Sequence, residues 1–131
     1  MAGERILIVD DNPANLKLAR ILLIREGYDV RSAESAVEAL GVIREFRPRL
    51  ILMDVQLPDT DGLTLTRRLK ADPATSGIVV VALTAYAMMG DEEKALAAGC
   101  AGYLTKPVDT RTLPAYVASH LGRGREEAGG A

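Results

Sequence analysis

The sequence predicts an α/β fold: a five-stranded parallel sheet in the order 2-1-3-4-5, doubly wound by five helices. Three observations predict it. Strand-like and helix-like segments alternate along almost the whole chain. Three strand runs, Arg5–Asp10, Leu50–Asp54 and Ile78–Leu83, are apolar at successive positions, the pattern of strands buried on both faces. The connections are short, and parallel neighbours then need right-handed helical crossovers.

Each element has its own signal. The first strand, Arg5–Asp10, is followed by Asn12 as a cap, Pro13 at the favoured first helical position and Gly27 just past the helix end. Asp29–Arg31 forms the second strand. Ser35 to Phe46 reads as the second helix, with Ala36, Ala39, Leu40 and Ile43 at helical spacing and a stop before Pro48. The third strand is Leu50–Asp54, and the third helix runs from Leu63 to Ala71, ending before Asp72-Pro73. Ile78–Leu83 is the fourth strand. Asp91 to Ala98, closed by Gly99, is a short fourth helix, and Ala101–Leu104 is the fifth strand. Thr110 to Leu121 makes the fifth helix, with Pro114 in the only turn that tolerates it. Residues 1–121 thus form one domain, and the apolar-poor stretch 122–131, "GRGREEAGGA", is expected to be a disordered tail.

Composition bounds the function. At 131 residues, 48% hydrophobic and 26% charged, the chain suits one soluble domain. A net charge of −2 provides no electrostatic footprint for nucleic acid or an anionic membrane. No apolar run approaches a membrane span, and the N-terminus lacks a signal-peptide pattern. The single Cys100 forms no internal disulfide and no cysteine-based metal site, so the cytoplasm is the default compartment.

The chemistry gathers at strand ends. "ILIVDDNP" ends the first strand in Asp10 and Asp11, and "LILMDVQL" ends the third in Asp54. The order 2-1-3-4-5 sets these strands side by side, with the ligand crevice where their carboxyl ends part. Converging carboxylates repel, and a divalent cation with hard oxygen ligands, Mg²⁺, resolves the conflict while leaving coordination positions for a phosphoryl oxygen. Thr84 in "ALTAY" and Lys106 in "YLTKP" stand at the same edge, a hydroxyl and a fixed cation for the remaining phosphoryl oxygens. Lys106-Pro107 is a candidate cis peptide.

With these pieces in the order "ILIVDDNPANLKLARILL", "PRLILMDVQLPDTDGL", "VVALTAYA", "GCAGYLTKPV", the chain from about Glu4 to Leu121 resembles a receiver domain of two-component response regulators. It looks closer to DivK-like cell-cycle regulators and hybrid-kinase receivers than to the chemotaxis type. The resemblance implies the CheY-like (flavodoxin-like) fold. It implies Asp54 as phosphoacceptor from a histidine-phosphate donor. Asp11, Asp54 and the Gln56 backbone carbonyl would bind Mg²⁺, or Mn²⁺ in its place, with Asp10 helping. Thr84 and Lys106 would hold phosphoryl oxygens, and Tyr103 would be the aromatic that swings inward with Thr84. Gln56 and Tyr86 would flank the phosphoryl group, and bulky Tyr86 is expected to obstruct the hydrolytic water and lengthen the phosphorylated lifetime. A histidine kinase or phosphotransfer protein would dock on the first helix, and a downstream partner would read the fourth helix, fifth strand and fifth helix. Neither nucleic acid nor membrane is an expected direct partner, and nothing after Leu121 could fold as an output domain.

Other readings make different demands. A haloacid-dehalogenase-like phosphatase also uses a strand-end Asp with Mg²⁺, but wants a second Asp two residues on, where this chain has Gln56. A flavodoxin-like FMN binder would set acids beside the flavin phosphate. The chain is therefore expected to catalyse only its own phosphorylation and dephosphorylation. Taken singly, His120 reads as an exposed helix residue and Cys100 as a small buried hydrophobe. Met88-Met89 fits core filling and partner contact equally. The first helix, apolar on more than one face from Ala14 to Ile24, fits either full burial or docking.

Overall fold

The computed structural model describes residues 3–129 apart from 86 and 87, with side chains as far as 122. The branched apolar runs form β1 (Arg5–Val9), β2 (Asp29–Ala33), β3 (Leu50–Asp54), β4 (Val79–Thr84) and β5 (Gly102–Thr105). All four pairings are parallel and the order is β2-β1-β3-β4-β5, as expected. Boundaries move by a residue or two. β1 stops at Val9, leaving Asp10 just past its end, β2 reaches Ala33, and β4 takes in Thr84.

The helices are α1 (Pro13–Arg25), α2 (Ala36–Phe46), α3 (Gly62–Ala71), α4 (Asp91–Ala98) and α5 (Leu113–Gly129). Asn12 caps α1 through hydrogen bonds from the Ala14 and Asn15 amides, and Ser35 caps α2 at Glu38. α5 begins later than the Thr110 expected, because Asp109 organises a turn first. Its carbonyl accepts from the Leu113 amide at 2.9 Å and its side chain from the Arg111 amide at 2.8 Å. The helical backbone also passes Leu121, where the sequence reading ended it. Of the tail expected to be disordered, the backbone of 122–129 continues this helix, and 130–131 lie outside the described residues.

Because strand side chains alternate between faces, each successive apolar residue feeds one of two cores. Leu7, Val9, Ile51, Met53, Val80 and Ala82 pack against α2, α3 and α4. Ile6, Ile8, Leu50, Leu52, Val81 and Leu83 pack against α1 and α5. This two-sided burial is why the strands read as unbroken apolar runs, and it leaves polar chemistry to the carboxyl edge.

Of the single-residue expectations, Cys100 is buried as anticipated. His120 is not an exposed residue. It is half-buried, with its ring 4.6 Å from that of Tyr116. Met88 and Met89 are 71% and 102% exposed, which removes core filling as their role. α1 buries one face through Leu16, Ala19 and Leu23, while Ile21 and Ile24 remain about half exposed.

Candidate functional site

Asp10 extends the sheet by one bond, its amide donating to the Ala33 carbonyl at 3.0 Å, before the chain leaves β1. Its carboxylate Oδ1 then accepts the Asn12 amide at 2.9 Å, turning the backbone into α1. Asp11, between them, is exposed. Asp54 is the last residue of β3 and is only 2% exposed. Its Oδ1 accepts the Gln56 amide at 3.0 Å. Lys106 follows β5, its amide donating to the Thr84 carbonyl at 2.7 Å, and its bond to Pro107 is cis, as the sequence raised. The Lys106 ammonium lies 2.9 Å from Asp10 Oδ2 and 3.2 Å from Asp54 Oδ2.

Asp10, Asp11 and Asp54 each offer an oxygen, and all three lie within 4.8 Å of one another. The expected convergence of three acids from two strand ends is therefore present. Burial pushes the Asp54 carboxyl above its ordinary range; the Gln56 amide and Lys106 pull the other way without cancelling it, and Asp10 adds to the rise. Burial alone would lower the Lys106 ammonium, but its pairing with Asp10 and Asp54 outweighs that and holds it above its usual value. Asp10 is fully buried, and among the described residues Oδ2 accepts no hydrogen bond besides this ion pair. Such an oxygen is suited to a hard cation.

An open cavity of 380 Å³ sits over this cluster, lined by Asp11, Asp54, Gln56, Ala85 and Lys106 among others. Thr84 is buried at the end of β4 and is not among the residues lining the cavity. Tyr103 is half-buried. Its hydroxyl is buried without a hydrogen-bond partner among the described residues, and burial, then Asp91 and Glu92, push its ionisation up. Tyr86 lies outside the described residues.

Two supporting residues escaped the sequence reading. Asp59, in the loop after β3, reaches across to the start of α2, accepting the Ala36 amide at 2.9 Å and the Val37 amide at 3.0 Å. Those two bonds hold its carboxyl below the ordinary range. Gly62 packs so closely that a Cβ there would stand 2.1 Å from the Asp54 carbonyl oxygen. "DTDG" carries turn chemistry, but nothing local tells which helix an aspartate will cap 22 residues away.

Residues 6–118 match the family model described as the response regulator receiver domain. The polar-differentiation response regulator DivK of Brucella anthropi is 44% identical over 119 residues, which are 91% of this chain and 97% of that protein. Among solved structures, a CheY-like response regulator receiver domain protein from Methanospirillum hungatei superposes with a TM-score of 0.88 at 33% identity, covering 96% of this chain and 99% of that one. The receiver domain of a sensor histidine kinase from Pseudomonas aeruginosa, solved with magnesium coordinated in its active-site cleft, gives 0.82 at 36% identity, covering 92% and 99%. The phosphatase alternative finds no support in these likenesses.

Proposed function

The chain belongs to the response regulator receiver family, and on that premise we propose that Asp54 accepts a phosphoryl group from a phosphohistidine donor. The observation that carries this reading is Lys106 bridging the buried Asp10 and Asp54 beside an exposed Asp11. The three acids and the Gln56 carbonyl would hold Mg²⁺ or Mn²⁺; such an ion, when bound, offsets the negative charge on the acids and on the incoming phosphoryl oxygens. The magnesium-bound Pseudomonas receiver supports that fit.

In the transfer, a carboxylate oxygen of Asp54 attacks phosphorus. A P–O bond forms as the P–N bond to the donor imidazole breaks, and the ring, protonated on its other nitrogen, leaves neutral. The Gln56 amide fixes the carboxylate plane through Oδ1. Lys106 keeps a buried carboxyl ionised before attack and then turns to a phosphoryl oxygen. The Thr84 hydroxyl donates to another oxygen, and movement of its strand end repositions Tyr103. Two or three charge-assisted bonds of about 1.5–3 kcal/mol each match the roughly 5.5 kcal/mol that a full population swing requires. The chain is itself the phosphoryl carrier rather than a catalyst turning over external phosphoesters.

The readout is the α4–β5–α5 surface, where Met88, Met89 and the half-exposed Leu96 offer apolar contact. The donor docks on α1, whose Ile21 and Ile24 are exposed beside Lys17 and Arg20. Among the described residues, no helix is long and apolar enough to cross a membrane. Incubation with acetyl phosphate and Mg²⁺, followed by intact mass measurement, tests the reading. One phosphoryl group should be gained and should be lost in Asp54→Asn; a gain that persists in that variant refutes it.

A further inference from the structure

We propose that a cleft at the opposite edge of the sheet binds a small phosphorylated molecule with a flat apolar portion, of the nucleoside diphosphate class. The cleft lies between the carboxyl-terminal ends of α2 and α3, beside the segments that lead into β3 and β4. Asp54 closes β3 at its other end, so the two sites are separate and this inference does not rest on the phosphoryl-transfer reading.

The cleft encloses 720 Å³, within the range of about 300–1,000 Å³ typical of small-molecule sites. Its apolar wall comes from the half-buried Leu40 together with Ile43 and Leu69, each 3% exposed. Its rim carries Arg44, Arg47 and Arg68, all exposed, and none of the three forms an ion pair among the described residues. One acid, Asp72, faces them, and its Oδ1 already accepts the Ala74 amide at 2.9 Å. Three cations against one carboxylate leave the cleft positive in a protein that is acidic overall.

Helix dipoles account for part of this. Arg44 and Arg68 sit in the last turns of α2 and α3, where cations are stabilising without any ligand. They do not account for Arg47. That residue follows α2 in the left-handed conformation at φ 51°, a position usually given to glycine. Its backbone makes the helix-ending bonds, the amide to Ile43 and the carbonyl from Arg5 Nε, and glycine could make both without a steric penalty. The side chain that arginine adds lines the cleft. Guanidinium groups match phosphate oxygens in a two-pronged geometry and stack on flat rings, and the leucine and isoleucine wall covers what they leave. Inorganic phosphate alone would leave the accessible part of that wall, the half-buried Leu40, uncovered.

The test is a titration of the full chain with ADP, followed by amide ¹H–¹⁵N spectra in EDTA so that the carboxylate cluster holds no cation. Saturable shifts should appear at Leu40, Ile43, Leu69 and Thr75. Arg44→Ala and Arg68→Ala should each weaken binding about tenfold while their spectra stay folded. Pyrophosphate and adenosine, added separately, should each bind at least roughly tenfold more weakly than ADP. The proposal is overturned by the absence of saturable shifts through the millimolar range, by undiminished affinity in the arginine variants, by shifts confined to the Asp54 edge, or by pyrophosphate binding as tightly as ADP.

Discussion

Replacing Gly62 by alanine should damage both stability and phosphoryl uptake, although alanine is the better helix former. The added Cβ would meet the Asp54 carbonyl oxygen at 2.1 Å, its carbonyl carbon at 3.0 Å and the Met53 Cγ at 3.1 Å. Backbone atoms cannot swing aside as a flexible side chain would, so α3 must retreat from β3 by about 1 Å to restore normal contact. Two bonds tie the same residue down, its amide to the Val55 carbonyl at 2.8 Å and its carbonyl from the Thr66 hydroxyl at 2.8 Å. Overpacking of this kind costs about 1–3 kcal/mol, against a helix-propensity gain of at most about 1 kcal/mol. A net loss of roughly 1–2 kcal/mol follows. Whatever share of that movement the Asp54 backbone takes up should slow uptake from acetyl phosphate, by up to about a hundredfold for the full distance of about 1 Å. Gly41, inside α2 with nothing within 4 Å of its would-be Cβ, is the control. Gly41→Ala should gain about 0.5–1 kcal/mol and leave uptake alone. Urea unfolding and intact-mass kinetics on both variants decide it: a Gly62→Ala protein as stable as its parent would falsify the packing argument.

Further outcomes follow from the same geometry. Asp59→Ala should lower the melting temperature at neutral pH. Because the native carboxyl titrates below its ordinary 3.8, the clamp's contribution is complete above that value and fades as pH falls through the lower native one. The gap between the two proteins should therefore close in acid, and a gap constant with pH rules the carboxylate out. Lys106→Met strands two buried carboxylates and should cost about 3–5 kcal/mol in EDTA, partly recovered on adding Mg²⁺; equal urea midpoints would contradict the ion-pair account. Ile21→Asp, at a side chain 45% exposed, should slow transfer from a phosphohistidine donor while leaving acetyl phosphate uptake and melting unchanged. Unaltered transfer would move the docking face elsewhere.

Much of this was legible because the signals are short-ranged or periodic. Unbroken runs such as Ile6–Val9 and Leu50–Met53 announce burial on two faces, and the caps at Asn12 and Ser35 are written within three residues of the amides they satisfy. The strand order then brings Asp10, Asp11 and Asp54 together without any knowledge of side-chain conformers. What could not be read depends on distance through space. Asp59 caps a helix that precedes it in the chain, Gly62 is required by a carbonyl eight positions earlier, and His120 is half-buried because Tyr116 and Gly102 stand where they do. The late start of α5 reflects the turn that Asp109 organises ahead of it, which composition alone does not reveal.

The supports on the two sides of Asp54 are unequal, and that inequality bears on where a response can travel. On the β3–α3 side, the Asp59 clamp, the bridge between Gln56 and Asp61, the Asp61 cap on Leu63 and the Gly62 contact all fix the loop. On the β4–α4 side, α4 is eight residues long, follows Gly90 with no side-chain cap among the described residues, and buries Ala95 and Ala98. Its acidic first turn faces a Tyr103 hydroxyl that is buried without a partner among the described residues. Such a phenol sits at a cost that any rearrangement supplying a hydrogen bond would relieve. On the proposed phosphorylation, a charge added at Asp54 would meet a loop tied down on the α3 side and a lightly anchored helix on the other, and α4 is where the response is expected to appear.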